Sequence, residues 1–101
     1  MIISSQSYRD YNIVDEKIYQ IAEDKIVEIP VTFAGELNGE QYFIQVDGHH
    51  TMEAAKELEI EIRFVEVAQP TWDNDWTIED VLAANYNDCD WYNVETGQSA
   101  F

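Results

Sequence analysis

Between Val27 and Ala34 the chain reads VEIPVTFA, an apolar run rich in β-branched residues, and such a run predicts a strand. The following Glu36 to Glu40 contains Asn38-Gly39, a pair that tolerates positive φ and so suits a two-residue hairpin turn. The returning run Gln41 to Val46 puts Tyr42, Ile44 and Val46 on one face and Gln41, Phe43 and Gln45 on the other, which predicts a second strand with one drier face. That strand ends at Asp47-Gly48. Beyond it Met52, Ala54, Ala55 and Leu58 recur at helical steps, predicting a short amphipathic helix whose first turn begins around His50-Thr51. Glu61 to Val67 alternates imperfectly and predicts a strand with both faces partly buried. Thr77-Ile78-Glu79-Asp80 has the form of a capped helix start, with Asp where Glu or Gln is usual, and leads into Val81-Leu82-Ala83-Ala84.

The two ends are less patterned. Ile13 to Ile21 fits either a short strand or one helical turn, with Ala22 to Lys25 as a connection, and Asn85 to Phe101 has no period that assigns it. Together these elements predict a small α/β (α+β) protein in which a hairpin, a strand-turn-helix and a further strand build one mixed sheet covered by two helices. A length of 101 residues is one domain's worth, here 1–101 as a single domain. A composition change near Ala68-Gln69-Pro70 separates a central unit, about 18–67, from an extension over 68–101 rich in Trp, Asp and Asn.

Charge changes this picture. Asp and Glu number 21 against 5 Lys and Arg, a net charge of −16, which opposes direct binding to a phosphate backbone or an anionic membrane. The hydrophobic content of 46% and aromatic content of 13% nonetheless point to a folded chain rather than a disordered one. A lone cysteine, Cys89, predicts no internal disulfide and no zinc motif. With no long apolar run and no basic, apolar leader at the start, the expectation is a soluble, cytoplasmic protein.

Chemistry concentrates at Asp47-Gly48-His49-His50-Thr51. A strand delivered through one glycine into a helix presents unpaired amides at the positive end of the helix dipole, an arrangement suited to a phosphate. Gly48 permits the turn, and the amides of His49, His50 and Thr51 are the expected phosphate ligands. Asp47 and His50 are the expected proton acceptors. Adjacent histidines at a helix start diverge, so no metal site is expected from Asp47, His49 and His50 themselves.

The stretch YFIQVDGHHTMEAAKELEIEIRFVEV, Tyr42 to Val67, resembles the signature of the ParB/sulfiredoxin superfamily, in which a strand ends in a Gly-centred motif and runs into a helix with an alanine pair. The preceding VEIPVTF and its turn are similar to the hairpin before that motif, so the resemblance spans roughly residues 18–67. It implies a ParB/sulfiredoxin-like fold and a nucleotide, ATP or CTP, held at the turn, with Mg2+ as its companion. Related free-serine kinases carry the form DGHHR; here Thr51 stands in place of that arginine, exchanging a bidentate cationic clamp for one neutral hydroxyl. The implied activities are phosphoryl transfer or phosphohydrolysis. The reactive cysteine of sulfiredoxin would fall at His49, so sulfinic-acid reduction is not implied, nor is partition activity of the ParB type.

The extension carries a second expectation. No Lys or Arg follows Arg63, while Trp72, Asp73, Asp75, Trp76, Glu79 and Asp80 interleave aromatics with carboxylates. Such a surface imitates nucleic-acid phosphates and fits a basic protein groove, as in phage-type inhibitors of nucleic-acid-processing enzymes. The expected partners are therefore a small phosphate-bearing ligand or a basic protein surface, with neither DNA nor membrane bound directly. The simpler alternative is that the aromatics close the core and the carboxylates keep the surface soluble.

Overall fold

The computed structural model describes residues 1–68, 72, 73 and 75–101; Gln69 and Pro70, where the composition changes, lie outside them. Five strands form one mixed sheet in the order β4-β2-β3-β1-β5, with β1 Ile2–Ser4, β2 Ile26–Leu37, β3 Glu40–Gln45, β4 Glu61–Glu66 and β5 Tyr92–Asn93. Three helices, α1 Tyr11–Ile21, α2 His49–Glu57 and α3 Ile78–Ala84, are the other elements among the described residues.

The hairpin forms where local chemistry places it. Asn38 and Gly39 both take positive φ, 54° and 82°, and close β2 onto β3 with Leu37 opposite Glu40. A bulge between Phe33 and Gly35 then re-aims the end of β2. At Gly35 an added Cβ would stand 3.1 Å from Ile78 Cβ, so the missing side chain is what lets α3 pack closely on the sheet. β4 runs parallel to β2 and β1 parallel to β3, while β5 closes the other edge antiparallel to β1.

Both sheet faces are covered. On one, Val14 and Ile21 of α1 meet Ala54 and Ala55 of α2 and Val27 of β2, beside a cluster of Ile29, Met52 and Val94. On the other, Ile78 and Val81 of α3 pack with Ile3, Ala34, Tyr42, Ile44 and Trp91.

Two expectations are corrected here, and the unassigned ends gain strands. The stretch from Ile13 to Ile21 is neither a strand nor a single turn but part of the eleven-residue α1. Its inward residues Val14, Ile18 and Ile21 follow the i, i+4, i+7 spacing, and Asp10 caps it by accepting a 2.9 Å hydrogen bond from the Asn12 amide. Consequently the helices among the described residues number three rather than two. The unassigned ends supply β1 and β5, strands of three and two residues, too short to display a period. By contrast, Thr77 and Asp80 form the expected reciprocal capping box at the start of α3.

Candidate functional site

The turn after β3 is built around Gly48. Its φ of +80° is left-handed, which favours glycine, and an added Cβ would stand 3.1 Å from Ile29 Cδ1, so Ile29 would have to give way. Asp47 Oδ1 accepts a 2.7 Å hydrogen bond from the Gly48 amide, and Gln45 Nε2 donates to the Asp47 carbonyl at 3.1 Å. The first helical bond runs from the Met52 amide to the Gly48 carbonyl, 2.8 Å. The amides of His49, His50 and Thr51 therefore precede the intrahelical ladder, and Gly48, as N-cap, offers no side chain to occupy them.

The two histidines reach opposite ends of the segment between β1 and α1, His49 the Ser4 end and His50 the Asp10 end. His49 is buried, with Nε2 2.8 Å from Ser4 Oγ. Burial first, and the nearby Arg9 charge second, hold its imidazole down at about 4, so it is neutral at pH 7. His50 Nε2 accepts a 3.1 Å hydrogen bond from the Asp10 amide, which places its ring proton on Nδ1 while that bond exists. Both rings thus stitch α2 to the chain leaving β1. Asp47 is exposed and keeps Oδ2 clear of the turn's own hydrogen bond.

Arg9 and Asp88 order the same segment, and neither stood out in the sequence. Arg9 Nη1 donates to the carbonyls of Gln6 and Tyr8 at 3.0 and 2.9 Å, and Nη2 donates to Tyr92 Oη at 3.2 Å. Its Nε is buried without a hydrogen bond and lies 3.7 Å from Glu53 Oε1 on α2. Asp88 accepts from the Ser7 amide and hydroxyl and from the Tyr8 amide. The Ser7 amide is the main reason its carboxyl titrates below the usual range. The only prior sign of Arg9 was its rarity as a cation; Asp88 was one acid among many.

One cavity of about 280 Å³ opens at the carboxyl ends of the parallel strands β1 and β3. It is lined by Ser4, Gln6, Gln45, Val46, Asn85 and Asn87 among others, and reaches the residue immediately before Asp47. A larger cavity of about 550 Å³, lined by Arg9, Tyr11, Glu53, Asp90, Trp91 and Tyr92 among others, lies between α2, the β1–α1 segment and the C-terminal residues.

The acidic stretch is arranged differently from the turn. Asp73, Asp75, Trp76, Glu79 and Asp80 are exposed, whereas Trp72 is half-buried and packs on the core cluster around Ile78 and Val81. The Asp80 carboxylate is engaged as a cap, accepting from the Thr77 amide at 3.0 Å. Cys89 is a half-buried free thiol. Among the described residues no three His, Cys, Asp or Glu side chains converge as a metal site, and no helix is long and apolar enough to cross a membrane.

No protein-family model matches the chain, and no curated protein matches it.

Proposed function

We propose that this ParB/sulfiredoxin-like chain binds a nucleotide, ATP or CTP, or another phosphate-bearing small molecule at Asp47 to Thr51. The observation that carries this reading is Gly48. A left-handed N-cap with no side chain leaves three successive amides uncapped at the positive end of a nine-residue helix. The 280 Å³ cavity beside the turn gives the rest of such a ligand a place at the carboxyl ends of parallel strands, where α/β sheets commonly hold ligands. His49, neutral at pH 7, supplies no cation to the phosphate, and His50 Nε2 is engaged by the Asp10 amide. In a chain of −16, the nucleotide is best received as its Mg2+ complex, with the ion carried by the phosphates rather than by a dedicated protein site. For any phosphoryl chemistry, Asp47 is better placed than His50 as proton acceptor, since Oδ2 lies outside the turn's hydrogen bond.

The test is the thermal midpoint and the histidine proton shifts with ATP, CTP, GTP and ADP, each with and without Mg2+. A ligand of the folded state raises the midpoint and moves the resonances of residues 47–51. No response to any of them overturns the proposal.

A second reading is favoured by a separate observation. Of the 21 acidic residues only Asp10 and Glu53 are partly buried; the others are exposed. We propose that this surface engages a basic protein, with Asp73, Asp75, Trp76 and Glu79 at the contact. Such binding weakens with salt and on neutralising those acids, and affinity indifferent to both refutes it.

A further inference from the structure

We infer that the 550 Å³ cavity is a socket for an arginine side chain presented by a basic partner protein, an inference that rests on the partner-binding reading. Its walls are aromatic: Trp91 is buried, Tyr92 is half-buried, and Tyr11 stands exposed at the rim. Two carboxylates, Glu53 and Asp90, line the same space. The one cation there, Arg9, directs its Nη donors to the carbonyls of Gln6 and Tyr8 and to Tyr92 Oη. Its Nε is sealed from solvent beside Glu53. The cavity is thus left with more negative than positive charge, in a chain whose acids outnumber its bases 21 to 5. An anionic guest would face two carboxylates and an Arg9 that already donates to two carbonyls and to Tyr92 Oη.

A guanidinium suits this lining better than an ammonium. It is planar, weakly hydrated, stacks on aromatic faces and pairs in parallel with a carboxylate. No part of the turn at residues 47–51 lines this cavity, although Trp91 lines both it and the smaller one.

The test uses the full chain with three small probes, the methylamides of Nα-acetyl-arginine, Nα-acetyl-citrulline and Nα-acetyl-lysine, together with a polyarginine peptide at low salt. Ring resonances of Tyr11 and Tyr92, which line this cavity and not the smaller one, report it, together with those of Trp91, which lines both. The arginine probe is expected to shift them saturably, about threefold or more tighter than the uncharged citrulline probe of the same shape. Asp90→Asn, at an exposed position, and Glu53→Gln weaken the arginine probe, whereas Glu23→Gln with Asp24→Asn, exposed acids outside the cavity lining, leaves it unchanged. Equal binding of citrulline, or an equal loss in the Glu23/Asp24 variant, overturns the socket, and lysine binding as tightly as arginine overturns the choice of guanidinium. Polyarginine that binds in a salt-dependent way without moving Trp91 or Tyr92 refutes the socket and leaves the partner-binding reading standing. Absence of polyarginine binding at low salt refutes both.

Discussion

The His49 ring meets the Ser4 hydroxyl at 2.8 Å across 45 positions of sequence, and both residues are buried. This contact joins the first turn of α2 to the end of β1, the strand inserted between β3 and β5. It makes the histidine a structural tie with a titration, and the titration has a sign.

Because the folded pKa of about 4 lies below the ordinary 6.5, the unfolded chain takes up a proton at His49 before the folded one does. The contribution is fully present above about pH 6.5 and is lost as pH falls through about 4, by at most about 3 kcal/mol. Urea midpoints between pH 7 and pH 4 should fall, and His49→Gln should flatten that part of the profile. An unchanged slope in the variant would assign the loss to other groups.

Gly48→Ala should destabilise more than Gly39→Ala. Both positions have φ near +80°, which costs an L side chain about 1–2 kcal/mol, but only the Cβ at Gly48 also meets Ile29, at 3.1 Å. Chemical denaturation of the two variants measures the difference, and equal losses would show that Ile29 yields at no cost.

Glu59 is a non-glycine residue at φ 58°, just beyond the Leu58 C-cap of α2, where glycine is the usual occupant. Glu59→Gly should raise stability by about 0.5–1 kcal/mol, after allowing for the greater freedom of glycine in the unfolded chain. A lowered denaturation midpoint would contradict this.

At the turn, Thr51→Arg restores the guanidinium of the motif that the sequence resembles. It should tighten a phosphate ligand about tenfold while adding no new fold contact. Calorimetric titration with the Mg2+ complexes of ATP and CTP reads the gain, and affinity unchanged by the arginine would remove phosphate from that end of α2.

Removing the α3 cap should loosen the acidic surface. Asp80→Ala deletes one bond to the Thr77 amide and exposes the first turn, costing about 1 kcal/mol, with faster amide exchange confined to α3. Exchange that quickens equally in α1 would point to a global rather than a local effect.

What the sequence determined by itself is what short-range chemistry decides. Asn38-Gly39 makes the hairpin because both residues accept positive φ, Thr77 and Asp80 cap each other three positions apart, and Met52, Ala54 and Ala55 turn one helical face inward. The glycine turn at 48 and the exposed acids were equally readable, because a backbone conformation and a hydrated charge need no distant partner. Tertiary structure decided the rest. Ile2–Ser4 is a strand because β3 and β5 flank it, and Val14, Ile18 and Ile21 belong to a full helix because α2 and β2 give that face something to cover. The histidines of the turn became ties between α2 and the chain leaving β1 because Ser4 and Asp10 lie 45 and 40 residues away in the chain and beside them in space. Arg9 and Asp88 gained their places in the same way, through carbonyls and amides that only the packed fold brings within hydrogen-bond reach.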